Sequence, residues 1–384
     1  MYACFVDLKK AYDSVWREGL IHKLRKIGLG DTLVNIIAAM YRDTRTSVLY
    51  EGKILPEIQT NKGLKQGDNL SPPLFNLYIN DLPKALEVGE TDPITLYDTH
   101  LNSLMWADDL ILLSESREGL QQCINNLQSY CTNWKLVINL KKTKVMIFNH
   151  SGSKMKTVRL YLQGKPIENT TQYPYLGFTV SASGKFDHGI QKLIDKARRA
   201  WFAIQHFLTK SKQKNIDTYL KLFDSVVKPI FLYSSEIWGK CNKIESNIEN
   251  FGNSSWERFH ARICKTVIGA HKRVSSLASL SDIGRYPISI EINNRMIRYF
   301  LRFKTMDENR LAYKAFLDQL SEGRQRSNWV NKVKGALDRN GFSYVFTKVA
   351  DFKNADELEE PKLLSNKIRK REQCIFAQKI LCSL

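Results

Sequence analysis

The chain has 384 residues, with 58 Lys and Arg against 39 Asp and Glu, a net charge of +19, and 43% hydrophobic and 11% aromatic residues. This apolar content excludes a largely disordered chain, and no apolar run approaches the about 18–20 residues that a membrane-spanning helix needs. The length predicts two or three packed units at about 100–200 residues each, and the cationic surplus points to a polyanionic partner.

The seven cysteines are irregularly spaced and form no C-x-x-C pair, which argues against a disulfide framework or a complete zinc set and fits a reducing, intracellular compartment. The first residues set no basic region ahead of an apolar one, so no signal peptide is expected.

Ala3-Cys4-Phe5-Val6-Asp7 is a short apolar run closed by an acid, as in a buried strand with a carboxylate at its C-terminal end. From Ala11 the period lengthens. Tyr12, Trp16, Leu20, Leu24 and Ile27 recur every three to four residues before Gly28, which predicts one amphipathic helix with a glycine stop. A second helix is predicted over 32–41, and a hairpin over 46–50 and 54–59 around Glu51-Gly52. Gly63-Leu64-Lys65-Gln66-Gly67 reads as a flexible loop. Ser71 then suits an N-cap and Pro72 the first turn of a helix running through Phe75, Tyr78, Ile79 and Leu82.

Residues 100–106 and 109–113 flank Ala107-Asp108 as the arms of a second hairpin, and a helix follows over 118–134. Strand pieces are predicted at 136–138, 144–148, 158–162 and 173–180. Beyond about Gly184 helical periodicity dominates, so a boundary is predicted near Ser183-Gly184. A softer boundary falls in the Asn-rich 240–255, and the acidic 351–361 is expected to be exposed. In the helix after residue 186, Lys192, Lys196 and Arg199 share one face, with Trp201, Phe202 and Phe207 expected to face the core.

Acids beside apolar strands are costly unless something compensates them. Asp7 ends a strand, and Asp108 and Asp109 sit at a hairpin turn. A hard divalent cation takes such oxygen ligands, and two ions about 3.5–4 Å apart serve nucleotidyl transfer. Taken singly, each acid also fits ordinary turn chemistry or, for Asp7, a helix cap.

In combination the segments resemble the motifs of reverse transcriptases. Phe5-Val6-Asp7-Leu8-Lys9-Lys10-Ala11-Tyr12-Asp13 resembles motif A, and Gly63 to Pro72 (GLKQGDNLSP) resembles motif B. Trp106-Ala107-Asp108-Asp109 is similar to motif C, Asn139-Leu140-Lys141-Lys142-Thr143-Lys144 to motif D, and Tyr175-Leu176-Gly177 to motif E. The strings AYDSVW, PLFNLYINDL and YLG resemble in particular the non-LTR, LINE-type retrotransposon polymerases. A weaker likeness continues through 228–239, similar to the thumb signature of these elements, and 259–303, similar to their helical region beyond it.

The resemblance implies an α+β fold: a palm with an antiparallel sheet and packed helices over 1–184, a helical thumb over 185–245 and a helical C-terminal region over 246–384. It implies RNA-directed DNA polymerase activity with RNA template, DNA primer and deoxynucleotide triphosphates as partners and two Mg²⁺ ions, with Mn²⁺ as a substitute. Asp7 and Asp108 would be the main metal ligands, Asp109 a nearby acid, and the Phe5-Val6-Asp7-Leu8 backbone a further source of oxygens.

Tyr12 would be the steric gate against a 2′-hydroxyl, and Gln66 and Gly67 would touch the nascent pair. Lys142 would act on the leaving pyrophosphate, with Lys141 and Lys144 as rivals. Tyr175, Leu176 and Gly177 would grip the primer, and Lys192, Lys196 and Arg199 would track phosphates. Priming on genomic DNA would imply the nucleus.

The resemblance begins at motif A, whose Asp7 lies six residues after Met1, so fingers and endonuclease regions are expected to be missing and an inert nucleic-acid-binding remnant is the alternative reading. An intron-type maturase is a third, disfavoured by the wording of motifs A and B. Trp106 stands where Phe or Tyr is usual, and Asp68-Asn69 where Cys-Pro is common; all three acids are intact.

Overall fold

The computed structural model describes residues 1–149, 157–212, 215–239, 254–321, 328–350 and 361–381. They divide into two compact units: residues 1–95 with 99–185, and residues 96–98 with 186–384. Most of the softer boundary segment 240–255 and of the acidic segment 351–361 lies outside the described residues, as do Cys241 and Cys382.

The first unit is α+β. In chain order it contains β1 (Tyr2–Asp7), α1 (Arg17–Lys26), α2 (Asp31–Arg42), α3 (Ser71–Ile79), the hairpin β2 (Ser103–Trp106) and β3 (Asp109–Ser114), and α4 (Arg117–Asn133). There follow β4 (Lys144–Ile147), β5 (Glu168–Asn169) and a second hairpin, β6 (Gln172–Tyr175) with β7 (Phe178–Ser181). The five-stranded sheet has the order β5-β4-β1-β3-β2, antiparallel except for the parallel β4–β5 edge pair.

Alternation along β1 explains its central place. Cys4 and Val6 point into a large core with Leu20, Leu24, Leu74, Phe75, Tyr78, Leu120 and Ile124 from the helices. Ala3 and Phe5 point the other way, to Ile111, Leu113 and Met146, where Tyr173, Tyr175 and Val180 of the second hairpin cover them. Both faces of β1 are therefore covered, and its one acid falls at the strand's end.

Several expected elements are cut differently. The single helix from Ala11 is a short 3-10 turn, Tyr12–Ser14, then an extended break at Val15 and Trp16, then α1. Trp16 and Val15 are both drawn inward, Val15 completely. Ser71 is not an N-cap: it is the first helical residue, and its hydroxyl donates to the Lys65 carbonyl at 2.5 Å. The helix stops at Ile79 and a short one, Leu82–Leu86, restarts with Pro83 in its first turn.

His100 lies in a separate two-stranded ladder, Ile94–Leu96 with Thr99–Leu101, so the β2 arm begins at Ser103. Residues 136–138 make an isolated bridge, Leu8 to Ile138, not a strand. The hairpin near residue 50 is two short ladders, Arg45–Thr46 with Ile58–Gln59 and Leu49–Tyr50 with Lys53–Ile54.

The second unit is helical. It includes α5 (Asp187–Lys210), α6 (Ser255–Val267), α7 (Ile288–Arg302), α8 (Trp329–Arg339) and α9 (Pro361–Leu381), with α7 packing on α6, α8 and α9. Burial of Ile190, Leu193, Ile194, Ala197 and Trp201 sets the core side of α5. Phe202 and Phe207 do not join it: they are 58% and 67% exposed, because the 3.6-residue period carries both away from the Trp201 side. Among the described residues no helix is long and apolar enough to cross a membrane.

Candidate active site

The site grows from the β1–β3 pairing. Asp7 and Asp109 are directly opposite Cα partners at the open end of the sheet. Trp106 pairs with Asp109, so Ala107 and Asp108 form a two-residue turn, with Ala107 held at φ 51°. A non-glycine residue in the left-handed region stores strain where the chain must reverse tightly. The result is three carboxylates at one sheet end, Asp7 and Asp109 on adjacent strands and Asp108 in the turn. Trp106 is 69% exposed and leaves the β2–β3 pairing intact.

Like charges opposite one another are unfavourable. Desolvation, the Asp108 charge and the Asp7 charge, in that order, hold the Asp109 carboxyl above the usual aspartate range. Burial and the Asp7 and Asp109 charges likewise push up the Tyr173 phenol, and burial and Asp109 push up that of Tyr175. The cluster thus carries negative charge that the neighbouring rings do not neutralise.

One cation does approach it. Lys142 Nζ is 3.8 Å from Asp7 Oδ1, with the lysine side chain 70% exposed. Lys144 instead pairs with Glu168, and Lys141 is exposed. Asn139 holds Asp7 twice: its backbone N–H donates to the Asp7 carbonyl at 2.8 Å and its Nδ2 to Asp7 Oδ2 at 2.9 Å. The Asp7 N–H in turn donates to Thr143 Oγ1 at 3.3 Å. Asn139 and Thr143 belong to the segment that resembles motif D, and their position beside Lys142 is the only signal the sequence gives for these contacts.

Phe5 and Val6 are buried, Phe5 stacked on Tyr173 with ring centroids 4.4 Å apart, and Leu8 is buried at the isolated bridge. Tyr12 is half-buried on the 3-10 turn, its ring stacked on Phe75 at 4.8 Å. Burial and then the Asp108 charge raise its phenol, so Tyr12 lies within electrostatic reach of the hairpin tip.

Gln66 is exposed, and its Nε2 donates to Asp13 Oδ1 at 2.8 Å. Gly67 is also exposed, with open space where a Cβ would stand. The loop is tied to the Tyr12 turn by Leu64 N–H to Tyr12 O and Gly63 N–H to Val15 O, both 2.9 Å. Gly63, at φ +85°, is required, because a Cβ there would meet the Asp13 backbone at 2.8 Å.

The unforeseen organiser of this region is Arg17. Its guanidinium donates to the carbonyls of Gly63, Tyr41, Thr60 and Lys62 and to Thr44 Oγ1, at 2.6–3.2 Å. Arg17, Thr44, Thr60, Lys62 and Gly63 line an open cleft of about 870 Å³ that also includes Asp13, Lys65 and Gln66. Lys23 is a second unforeseen anchor: buried, it donates to the Tyr78 carbonyl and Asp81 Oδ1 at 2.5 Å and to Tyr130 Oη at 2.7 Å. Nothing in the local pattern of either residue distinguishes it from a solvated helix cation.

At the second hairpin, Leu176 (φ 46°) and Gly177 (φ 80°) are the two left-handed residues of a tight turn between Tyr175 and Phe178, and both are exposed. In the second unit Lys192, Lys196 and Arg199 lie along one exposed face of α5 that continues to His206 and Lys210. Phe202 and Phe207 flank that stripe.

Oxygen-only donors that repel one another fit a hard divalent cation. Among the described residues no three His, Cys, Asp or Glu side chains close on one point, so an ion here would draw further oxygens from water or a phosphate. The five described cysteines are free, and burial pushes the Cys4 and Cys131 thiols up to about 12.

Residues 1–180 match the family model of the reverse transcriptase (RNA-dependent DNA polymerase). A probable RNA-directed DNA polymerase from transposon BS of Drosophila melanogaster is 26% identical over 253 residues, 64% of this chain and 27% of that protein. A retrovirus-related Pol polyprotein from the type-1 retrotransposable element R2 of Bradysia coprophila is 33% identical over 194 residues, 48% of this chain and 22% of that protein. The chain spans about a quarter of the length of the curated relatives it matches. Apo telomerase from Candida Tropicalis is a distant structural likeness, with a TM-score of 0.38 and 12% identity over 96% of this chain and 53% of that one.

Proposed function

We propose that this chain, whose residues 1–180 are those of a reverse transcriptase domain of the non-LTR retrotransposon type, is the palm and following helical part of an RNA-directed DNA polymerase. The observation that carries the reading is the placement of Asp7, Asp108 and Asp109 at one sheet end, with Asn139 and Lys142 on Asp7. Residues 1–184 would be the palm, 185–245 the thumb and 246–384 the C-terminal helical region. The substrates would be an RNA template, an annealed DNA primer and deoxynucleotide triphosphates, and the nucleus would be the site of action.

Asp7 and Asp108, with Asp109 beside them, would hold two Mg²⁺ ions. Bound there, the ions would lower the cost of the attacking primer oxygen and the leaving pyrophosphate oxygen. The chain's own groups do the rest. Asn139 fixes the Asp7 carboxylate so that one oxygen stays engaged and the other faces the site. Lys142, long and exposed, swings between Asp7 and the leaving pyrophosphate, supplying positive charge or a proton as the bond breaks.

Tyr12, braced by Phe75, presents a ring edge against a ribose 2′-hydroxyl and selects deoxynucleotides by exclusion. Gln66, steadied by Asp13, and Gly67 border the nascent pair. The Tyr175-Leu176-Gly177 turn holds the primer end. Lys192, Lys196 and Arg199 meet phosphates, and the exposed Phe202 and Phe207 add stacking or wedging surface of the kind nucleic-acid grooves use.

The test is deoxynucleotide incorporation on a primed RNA template by the purified chain, with Asp108→Asn as control. Template-dependent product that vanishes in the variant supports the reading. Salt-sensitive binding to the same primed template without product supports instead a non-catalytic binding remnant.

A further inference from the structure

A groove in the helical unit lies between α5 and α6. Gln191, Ile194 and Arg198 line it from α5, and Ser255, Arg258, Phe259 and Arg262 from α6. Arg258 and Arg262 are one helical turn apart and both exposed, and among the described residues neither has a carboxylate or other acceptor on its guanidinium. Arg198 is half-buried, steadied by Asp195 Oδ1 at 2.9 Å, and Asp195 is also held by Gln191 Nε2 at 3.1 Å. Three guanidinium charges therefore face one carboxylate that is already engaged.

The neighbouring acid Glu257 does not offset them. It is buried and turned away, accepting the Ile288 and Ser289 N–H groups at the start of α7 at 3.2 and 2.7 Å. Ile194 and Phe259 are buried and close the floor.

The size and chemistry restrict the occupant. The groove holds about 140 Å³, less than half of the about 300 Å³ at which small-molecule pockets begin. It admits a group, not a whole nucleoside. With Phe259 buried, the groove's own lining offers no ring to stack on a base. What remains is a fork of guanidinium donors set on two packed helices, which matches the tetrahedral oxygens of a phosphodiester.

At roughly 100° per residue, the Gln191, Ile194 and Arg198 side of α5 is also distinct from the Lys192, Lys196 and Arg199 face. We propose that the α5–α6 groove seats a backbone phosphate of a polynucleotide, a contact separate from that face. The contact would position the strand without reading its sequence. This rests on the nucleic-acid reading of the chain.

The test uses the full chain, a labelled RNA–DNA duplex and anisotropy titrations over a salt series. Each phosphate contact contributes about 0.7–0.9 to the slope of log affinity against log salt, so Arg258→Gln/Arg262→Gln, which empties the one phosphate seat, is expected to lower that slope by about 0.7–0.9. Its affinity should fall several-fold at low salt with helix content unchanged, and Arg258→Lys/Arg262→Lys should recover most of the slope.

Unchanged slope and affinity in the glutamine variant, with the wild type binding normally, overturn the groove alone. A wild type that binds no polynucleotide overturns both the groove and the functional reading. If the glutamine variant keeps its duplex binding but loses binding to polyglutamate, the groove belongs to an acidic protein partner and the proposal fails.

Discussion

Replacing Arg17 by Met keeps the stem and removes the fork. Five contacts at 2.6–3.2 Å are lost, four of them to backbone carbonyls of residues 41 and 60–63. A net contribution of about 1 kcal/mol per hydrogen bond sets an upper bound of about 5 kcal/mol. The real loss is smaller. Thr60 O keeps the Thr44 hydroxyl, and the exposed Lys62 carbonyl can turn to water.

About 2–3 kcal/mol is therefore expected, concentrated locally because the bonds tie segment 60–63 to α1 and the end of α2. Hydrogen exchange should accelerate by about 30- to 150-fold at residues 60–67, by the same conversion at about 1.4 kcal/mol per decade, and remain unchanged in β1 and β3. Because Gln66 rides on this loop, primer extension should slow by at least about tenfold through misplacement. Unaltered exchange at 60–67 would refute the view that Arg17 braces the loop.

Asn139→Ala should leave stability within about 1–2 kcal/mol of wild type while cutting extension about 10- to 100-fold, since Asp7 then loses its orientation; equal loss of melting temperature and activity would indicate mere unfolding. Lys23→Met removes a buried cation from Asp81, Tyr78 and Tyr130, and about 2–4 kcal/mol of stability should go with it in a denaturant titration, less than for a fully buried pair because Asp81 is 43% exposed. For Asp109 the folded carboxyl titrates above its unfolded value, so the native state holds the extra proton and stability falls as pH rises through that window. Asp109→Asn should flatten this slope and melt at or above the wild-type temperature near neutral pH; a steeper slope in the variant contradicts the repulsion. Added Mg²⁺ should raise the wild-type melting temperature by relieving the same repulsion, and Asp7→Asn/Asp108→Asn should abolish that rise.

Much of this was legible because periodicity and burial coincide in the strands. The apolar run before Asp7 became the sheet's central strand, and the arms around Ala107-Asp108 became its neighbouring hairpin. What was not legible came from tertiary demands. The spacing over 12–27 is that of one helix, yet the backbone is extended at Val15 and Trp16, and α3 ends at Ile79 although its apolar pattern continues. Phe202 and Phe207 read as core residues by type, yet the helical period turns them outward.

Arg17 and Lys23 carry no local signal, because their partners lie 24–46 and 55–107 residues away. Among the three lysines of the 139–144 turn, proximity to Asp7 separates Lys142 from Lys144, which engages Glu168. That distinction needed the β4–β5 edge and could not be made from spacing.

The central claim is that the sheet-end acids perform chemistry and do not serve to bind nucleic acid. Single-turnover primer extension and primer–template affinity should be measured side by side for Asp7→Asn, Asp108→Asn and the wild type. The account predicts extension lost by orders of magnitude in both variants with affinity equal to the wild type or tighter, since each substitution removes a negative charge. Extension that survives in either variant, or falls only in proportion to affinity, would contradict it.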